Sequence, residues 1–132
     1  MNYYLRTNIC ECCNRYDEYH IGKKSFGWEF MFRGYLSCDA FEIRSWDEWR
    51  MHILRSGGQI FDEEHRTISY YDFIDMVEKS KEKYRPWMPD GQPAAEERIP
   101  QSHYEYCLKH NLITTADWLD KDGWSFYAGE FS

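Results

Sequence analysis

Cys10-Glu11-Cys12-Cys13-Asn14-Arg15-Tyr16-Asp17-Glu18-Tyr19-His20-Ile21-Gly22-Lys23 is the stretch on which the reading of this chain turns. It crowds three thiols and an imidazole into a segment short enough to fold back on itself. Cys10 and Cys13 have the C-x-x-C spacing with which two thiolates of one tight turn reach the same zinc ion, and His20 follows where a returning strand offers a third donor. Read with its flanks, the segment predicts a β-strand, a knuckle and a second β-strand.

Working outward, Asn2 to Asn8 alternates as a strand must, with Tyr3 and Leu5 on one side and Tyr4 and Arg6 on the other. Tyr16 to Lys23 is the returning strand. Gly22 to Gly27 has the glycine-bounded, polar make-up of a hairpin loop. Trp28 to Tyr35 then alternates again, Trp28, Phe30 and Phe32 pointing one way and Glu29, Met31 and Arg33 the other.

Further along, Ser45-Trp46-Asp47-Glu48 is a capping box that opens a helix. Trp46, Trp49, Ile53 and Leu54 form its inward stripe, and Gly57-Gly58 ends it. Gln59 to Phe61 reads as a short strand and Asp62 to Arg66 as a polar turn. Ser69-Tyr70-Tyr71-Asp72 caps a second helix with Tyr70, Phe73, Ile74 and Val77 inward. Arg85 to Pro100 holds all four prolines and predicts an irregular connection, since proline removes backbone donors and restrains the residue before it. Ser102-His103-Tyr104-Glu105 caps a third, short helix through Lys109 or His110. Trp118 to Phe131 folds around the turn Asp120 to Gly123 as a closing hairpin.

The expected architecture is one α+β domain over residues 1–132, with a small antiparallel sheet and an N-terminal zinc-knuckle-like turn packed against two to three helices. Residues 1–44 form the knuckle and hairpin, 45–84 the helical part, 85–101 the connection, and 102–132 the short helix and closing segment.

The formal charge is −7, and the chain carries 6 Trp and 11 Tyr. Residues 1–55 balance their charges, whereas residues 56–132 hold eight Lys and Arg against fifteen Asp and Glu. That argues against direct nucleic-acid binding, which draws its affinity from a basic surface. A basic protein partner suits it better. No stretch is long and apolar enough to cross a bilayer, and the N-terminus lacks the pattern of a secretory signal, so the cytoplasm is the expected compartment. Five cysteines, two of them adjacent, make a poor disulfide framework and favour metal binding or free thiols.

A structural zinc closes with four Cys or His ligands and supplies roughly 10–16 kcal/mol of apparent binding free energy. The expected set is Cys10, Cys13, His20 and Cys38, the last returned toward the knuckle by the hairpin. Cys12 and the group His103, Cys107 and His110 are alternatives for the fourth position. Against the metal stands the plainer reading of cysteines as small buried hydrophobes and His20 as a hydrogen-bonded strand residue. A catalytic zinc on Cys10, Cys13 and His20, with Glu18 as base, would make a small hydrolase or nucleotide-handling enzyme. A Cys12 or Cys13 nucleophile with His20 as base is the metal-free version. Gly22-Lys23-Lys24-Ser25 lacks the first glycine of a phosphate-binding loop, and Asp120 to Gly123 lacks the flanking ligands of a calcium loop.

The run Asn8-Ile9-Cys10 with Cys13, Arg15-Tyr16, His20-Ile21-Gly22-Lys23, Gly27-Trp28 and Phe30, with the closing Gly129-Glu130-Phe131-Ser132, resembles a group of small bacteriophage proteins. The resemblance covers about a third of the chain. It implies a phage gene product working in the host cytoplasm, and it carries no activity, substrate or catalytic residue with it. Asn14 stands where the family has glycine, and asparagine still accepts a left-handed turn. The combined expectation is a zinc-stabilised accessory protein that binds a host or phage protein and is not an enzyme; an acidic nucleic-acid mimic is the third possibility.

Overall fold

Alternating apolar residues make β1, and that strand sits inside a sheet rather than at its edge. A computed structural model describes residues 1–37 and 41–131. The elements in chain order are β1 (Asn2–Thr7), β2 (Asp17–Lys23), β3 (Met31–Arg33), α1 (Trp46–Ser56), β4 (Gln59–Asp62), β5 (Thr67–Ile68), α2 (Tyr70–Lys79), α3 (His103–Lys109), β6 (Asp117–Leu119) and β7 (Ser125–Tyr127). The strands lie in the order β5-β4-β1-β2-β3-β7-β6.

The fold is α+β, and its seven-stranded sheet is larger than the small one expected. The N-terminal hairpin supplies only its centre: β4 and β5 extend it beyond β1, and β7 and β6 beyond β3. The β3–β7 ladder is parallel, pairing Met31 with Ser125, Phe32 with Phe126 and Arg33 with Tyr127; the other named pairs are antiparallel. Nothing local in the sequence marks a pairing between strands so far apart.

One sheet face and the helices α1 and α2 enclose the aromatic core. Leu5, Ile21, Phe30, Phe32, Ile60 and Phe126 meet Trp46, Trp49, Ile53, Phe73 and Val77, all buried. Phe32 lies between the rings of Trp46 and Phe126, with centroids 4.9 and 5.0 Å away. Both caps act as the sequence predicts: Ser45 Oγ accepts from Glu48 N at 3.1 Å, and Ser69 Oγ from Asp72 N at 3.1 Å. Gly57 takes the left-handed conformation that ends α1. Leu54 departs from the expected stripe and is 58% exposed, because Ile53 beside it already fills the inward position.

The third strand is shorter than its alternation implies. Only Met31–Arg33 joins the ladder, while Trp28 forms a lone parallel bridge to Gln101. Trp28 therefore does not enter the core with Phe30 and Phe32. Its ring meets Tyr106 of α3 edge-on at 5.4 Å.

Pleat alternation decides what the opposite face receives. Phe32 and Phe126 point into the core, so their neighbours Met31 and Ser125 point the other way, toward α3. There Ser125 Oγ lies 3.0 Å from Ser102 Oγ, the α3 cap, and accepts from Tyr104 N at 3.0 Å. The proline-rich connection is irregular as expected: the bridges Tyr84 to Arg98 and Trp87 to Pro93 fold it into a narrow ribbon.

Candidate functional site

Between β1 and β2 the chain makes the tight turn that C-x-x-C predicts. Cys10 N donates to Arg15 O at 2.8 Å and Asn14 N to Cys10 O at 2.8 Å. Asn14 has φ 57°, the left-handed conformation this position requires. Cys12 and Cys13 are exposed and Cys10 is partly so. A hydrogen bond from the Cys13 side chain, with further ones from the backbone N–H groups of Cys13 and Cys12, holds the Cys10 thiol below its ordinary pKa.

His20 is not brought to this turn. Asp17 pairs with Thr7 at the end of the ladder, and His20 pairs with Tyr4 three positions further in, about 10 Å up the strand at roughly 3.3 Å per residue. Its ring stacks on Tyr4 at 5.0 Å and meets Phe131 at 4.6 Å, and its Nε2 lies 2.9 Å from Asn2 Oδ1. Burial pushes its pKa down to about 4, with Arg33 and Lys23 acting in the same direction and the Gly22 backbone and Glu18 opposing. Cys38 lies outside the described residues. Of the expected ligand set the structure thus brings Cys10 and Cys13 together and holds His20 elsewhere. Among the described residues no group of three or more His, Cys, Asp or Glu side chains is placed to hold a metal ion.

The helical group divides in the same way. His103 Nε2 lies 3.5 Å from Cys107 Sγ, one turn apart on α3, whereas His110 packs on Tyr106 at 4.3 Å. Burial lowers the pKa of His103 and raises that of Cys107, with the Asp117 carboxylate raising both. Cys107 is therefore a protonated, buried thiol, which is the unreactive state.

A cleft of about 290 Å³ opens on the α3 side of the sheet, lined by Lys23, Ser25, Trp28, Glu29, Met31, His103 and Phe131. Burial raises the pKa of the half-buried Glu29, against the opposing effects of Lys81 and a hydrogen bond from Ser102. Motif spacing does not find this cleft. Its rim comes from the 23–31 segment, α3 and the C-terminal tail, which the parallel β3–β7 pairing and the Trp28–Gln101 bridge bring together.

Several large apolar side chains are exposed, among them Phe26, which follows the cleft-lining Ser25. Phe26 is 76% exposed, and its ring meets Tyr84 edge-on at 5.3 Å. Along the ribbon, Trp87 is 70% and Ile99 71% exposed, with Met88 between them in sequence also on the surface. The signal that finds these residues is the proline content of 85–101, which keeps large side chains out of any regular element that would bury them.

Together these features define an α+β protein with exposed aromatic side chains, a cleft on the α3 side of its sheet and an exposed cysteine turn. Compared with protein-family models, curated proteins and solved structures, the chain finds no match. Among the described residues no helix is long and apolar enough to cross a membrane.

Proposed function

We propose that this chain is an accessory protein of phage type that acts by binding a host or phage protein through the surface formed by Phe26, Tyr84, Trp87 and Ile99. The observation that supports this reading is the exposure of Trp87, Phe26 and Ile99 beside a core that already buries Trp46, Trp49 and Trp124. Single exposed apolar residues are ordinary, but the Phe26–Tyr84 contact, with Trp87 and Ile99 exposed on the ribbon that carries Tyr84, resembles the centre of a protein interface, where Trp and Tyr dominate the energy. The ribbon also presents Asp90, Glu96 and Glu97 in exposed positions, within the half of the chain that carries the acid excess. The partner we infer therefore has an apolar centre with a basic rim.

The test pairs capture with substitution. Tagged protein retrieves its partner from bacterial lysate, and the isolated pair is then measured with Trp87→Ala/Ile99→Ala. The expected result is affinity at least about tenfold weaker, the effect of losing an interface anchor, with an unchanged unfolding midpoint and a further weakening as salt rises. A partner bound equally well by the double variant, or bound more tightly in high salt, overturns the proposal.

A further inference from the structure

We propose that the cleft on the α3 side of the sheet is a binding site for a guanidinium group, with Glu29 as its acceptor and Trp28 and Phe131 as its aromatic walls. Ladder register builds the floor. Met31 stands opposite Lys23 across β2–β3 and opposite Ser125 across β3–β7, so all three lie on the sheet face turned away from the core. The 25–29 segment is pinned beside them: Glu29 N donates to Gln101 O at 2.8 Å, Gln101 N to Gly27 O at 2.9 Å and Trp28 N to Ser25 O at 3.1 Å. Trp28 meets Tyr106 edge-on at 5.4 Å and Phe131 meets His20 at 4.6 Å, so both walls are held before a ligand arrives. At about 290 Å³, with its lining residues partly buried, the space stands at the small end of the range for small-molecule sites.

Charge selects the ligand. Glu29 brings a half-buried carboxylate to this space, and none of the ion pairs among the described residues includes it. The hydrogen bond from Ser102 uses one of its acceptor positions and leaves others open. Lys81 is held elsewhere: its Nζ lies 4.0 Å from the Trp124 ring centroid and donates to Asp122 O at 3.2 Å. Lys23 shares the rim without pairing with Glu29, and the long stem of a lysine lets its ammonium turn toward solvent. A half-buried carboxylate without a cation favours a charged donor. A flat one suits this cleft, because a guanidinium lays its face on an aromatic ring and directs two parallel N–H groups at one carboxylate, whereas a primary ammonium is a compact, strongly hydrated charge.

The test titrates N-butylguanidine into the full chain at neutral pH and follows it by amide and indole NMR. The expected result is saturable binding with a dissociation constant of about 1 mM or below, within reach of so small a ligand, and shifts centred on Trp28, Glu29 and Met31. The neutral isostere N-butylurea should bind about tenfold or more weakly, and n-butylamine should also fall short of the guanidine. Glu29→Gln should weaken binding about tenfold or more, the effect of losing a charged acceptor. Glu96→Gln, the same change in charge on the ribbon, should bind as the parent does, and so should Lys23→Met and Trp87→Ala/Ile99→Ala; unfolding midpoints show that each variant is folded. Arginine capped at both ends, if it binds as tightly as N-butylguanidine, assigns the site to an arginine of a protein, and weaker binding assigns it to a free small molecule. Urea or amine bound as tightly as the guanidine, undiminished binding to Glu29→Gln, loss of binding in Lys23→Met, shifts confined to the acidic ribbon, or no saturation at all would each overturn the proposal.

Discussion

His20 Nε2 lies 2.9 Å from Asn2 Oδ1, a cross-strand contact one register step from the bulge at Tyr3 and Tyr4, and it ties an imidazole to the sheet rather than to the cysteine turn. Between Tyr4 and Phe131 the ring is held mainly as the neutral base, with its pKa depressed from 6.5 to about 4. The sign follows from linkage: the unfolded chain takes up this proton near pH 6.5, the folded chain only near pH 4. Stability is therefore full above pH 6.5 and falls as the pH drops through that window. Since tenfold in proton affinity is about 1.4 kcal/mol and the ring keeps partial contact with solvent, the loss should be about 1–2 kcal/mol. Denaturant melts from pH 7 to 4 check it against His20→Gln, whose curve should be flatter there. An imidazole titrating near 6.5 by NMR would sink the idea.

Asp120 joins the closing hairpin to the first helix. One carboxylate oxygen accepts from Asp122 N at 3.0 Å and Trp124 N at 2.8 Å, the other from Trp46 N at 2.9 Å at the start of α1. Asp120→Ala leaves three backbone donors without their partner and removes a negative charge from a helix N-terminus. The expected cost is about 2–3 kcal/mol, with Asp120→Asn recovering part of it. Urea unfolding measures both. A loss below about 0.5 kcal/mol, the level of an ordinary surface change, would show that the connection is ornamental.

Gly22 and Gly57 separate two reasons for glycine. A Cβ on Gly22 would stand 2.2 Å from Met31 O and 2.4 Å from a Phe30 ring carbon, so the β2–β3 ladder must open to admit it. At Gly57 a Cβ meets nothing, and only its φ of 66° disfavours a side chain. Gly22→Ala should therefore cost about 3 kcal/mol or more by overpacking, and Gly57→Ala about 1 kcal/mol by strain alone. Paired thermal melts decide; equal losses would mean that the sheet yields at Gly22.

Local rules reach some of this structure and not the rest. The three serine caps, the burial of Trp46, Trp49, Ile53, Phe73 and Val77, and the left-handed Asn14 follow from local rules, each acting within a few residues. Trp28 and His20 were harder. Period-two alternation assigns a face but not the point where pairing stops, and β3 begins only at Met31. Sequence proximity placed His20 near the thiols, whereas ladder register carries it three pairs away. The cleft at Glu29 and His103 depends on two long-range parallel pairings, β3 with β7 and Trp28 with Gln101, which no spacing in the chain announces.

Arg6 decides how firmly the cysteine turn is anchored. Its guanidinium carbon lies 4.3 Å from the Tyr16 ring centroid and 4.1 Å from that of Phe61, while Nε donates to Glu18 Oε2 at 2.8 Å and Nη2 lies 2.8 Å from His65 Nδ1. Arginine has no acceptor, so His65 Nδ1 must accept here. Tyr16 is the residue on which the chain leaves the knuckle, so the arginine fastens that loop to β1 and β4 together. Removing a buried cation from two aromatic faces and a carboxylate should cost about 2–4 kcal/mol in Arg6→Ala. Arg6→Lys keeps the charge but not the flat, forked donor set, and should recover less than half. Because Tyr16 loses its anchor in both variants, Cys10 and Cys13 should also be alkylated faster in the folded state than in the parent. A lysine variant as stable as the parent, with unchanged thiol reactivity, would mean that charge alone holds the loop and that the stacked geometry contributes nothing.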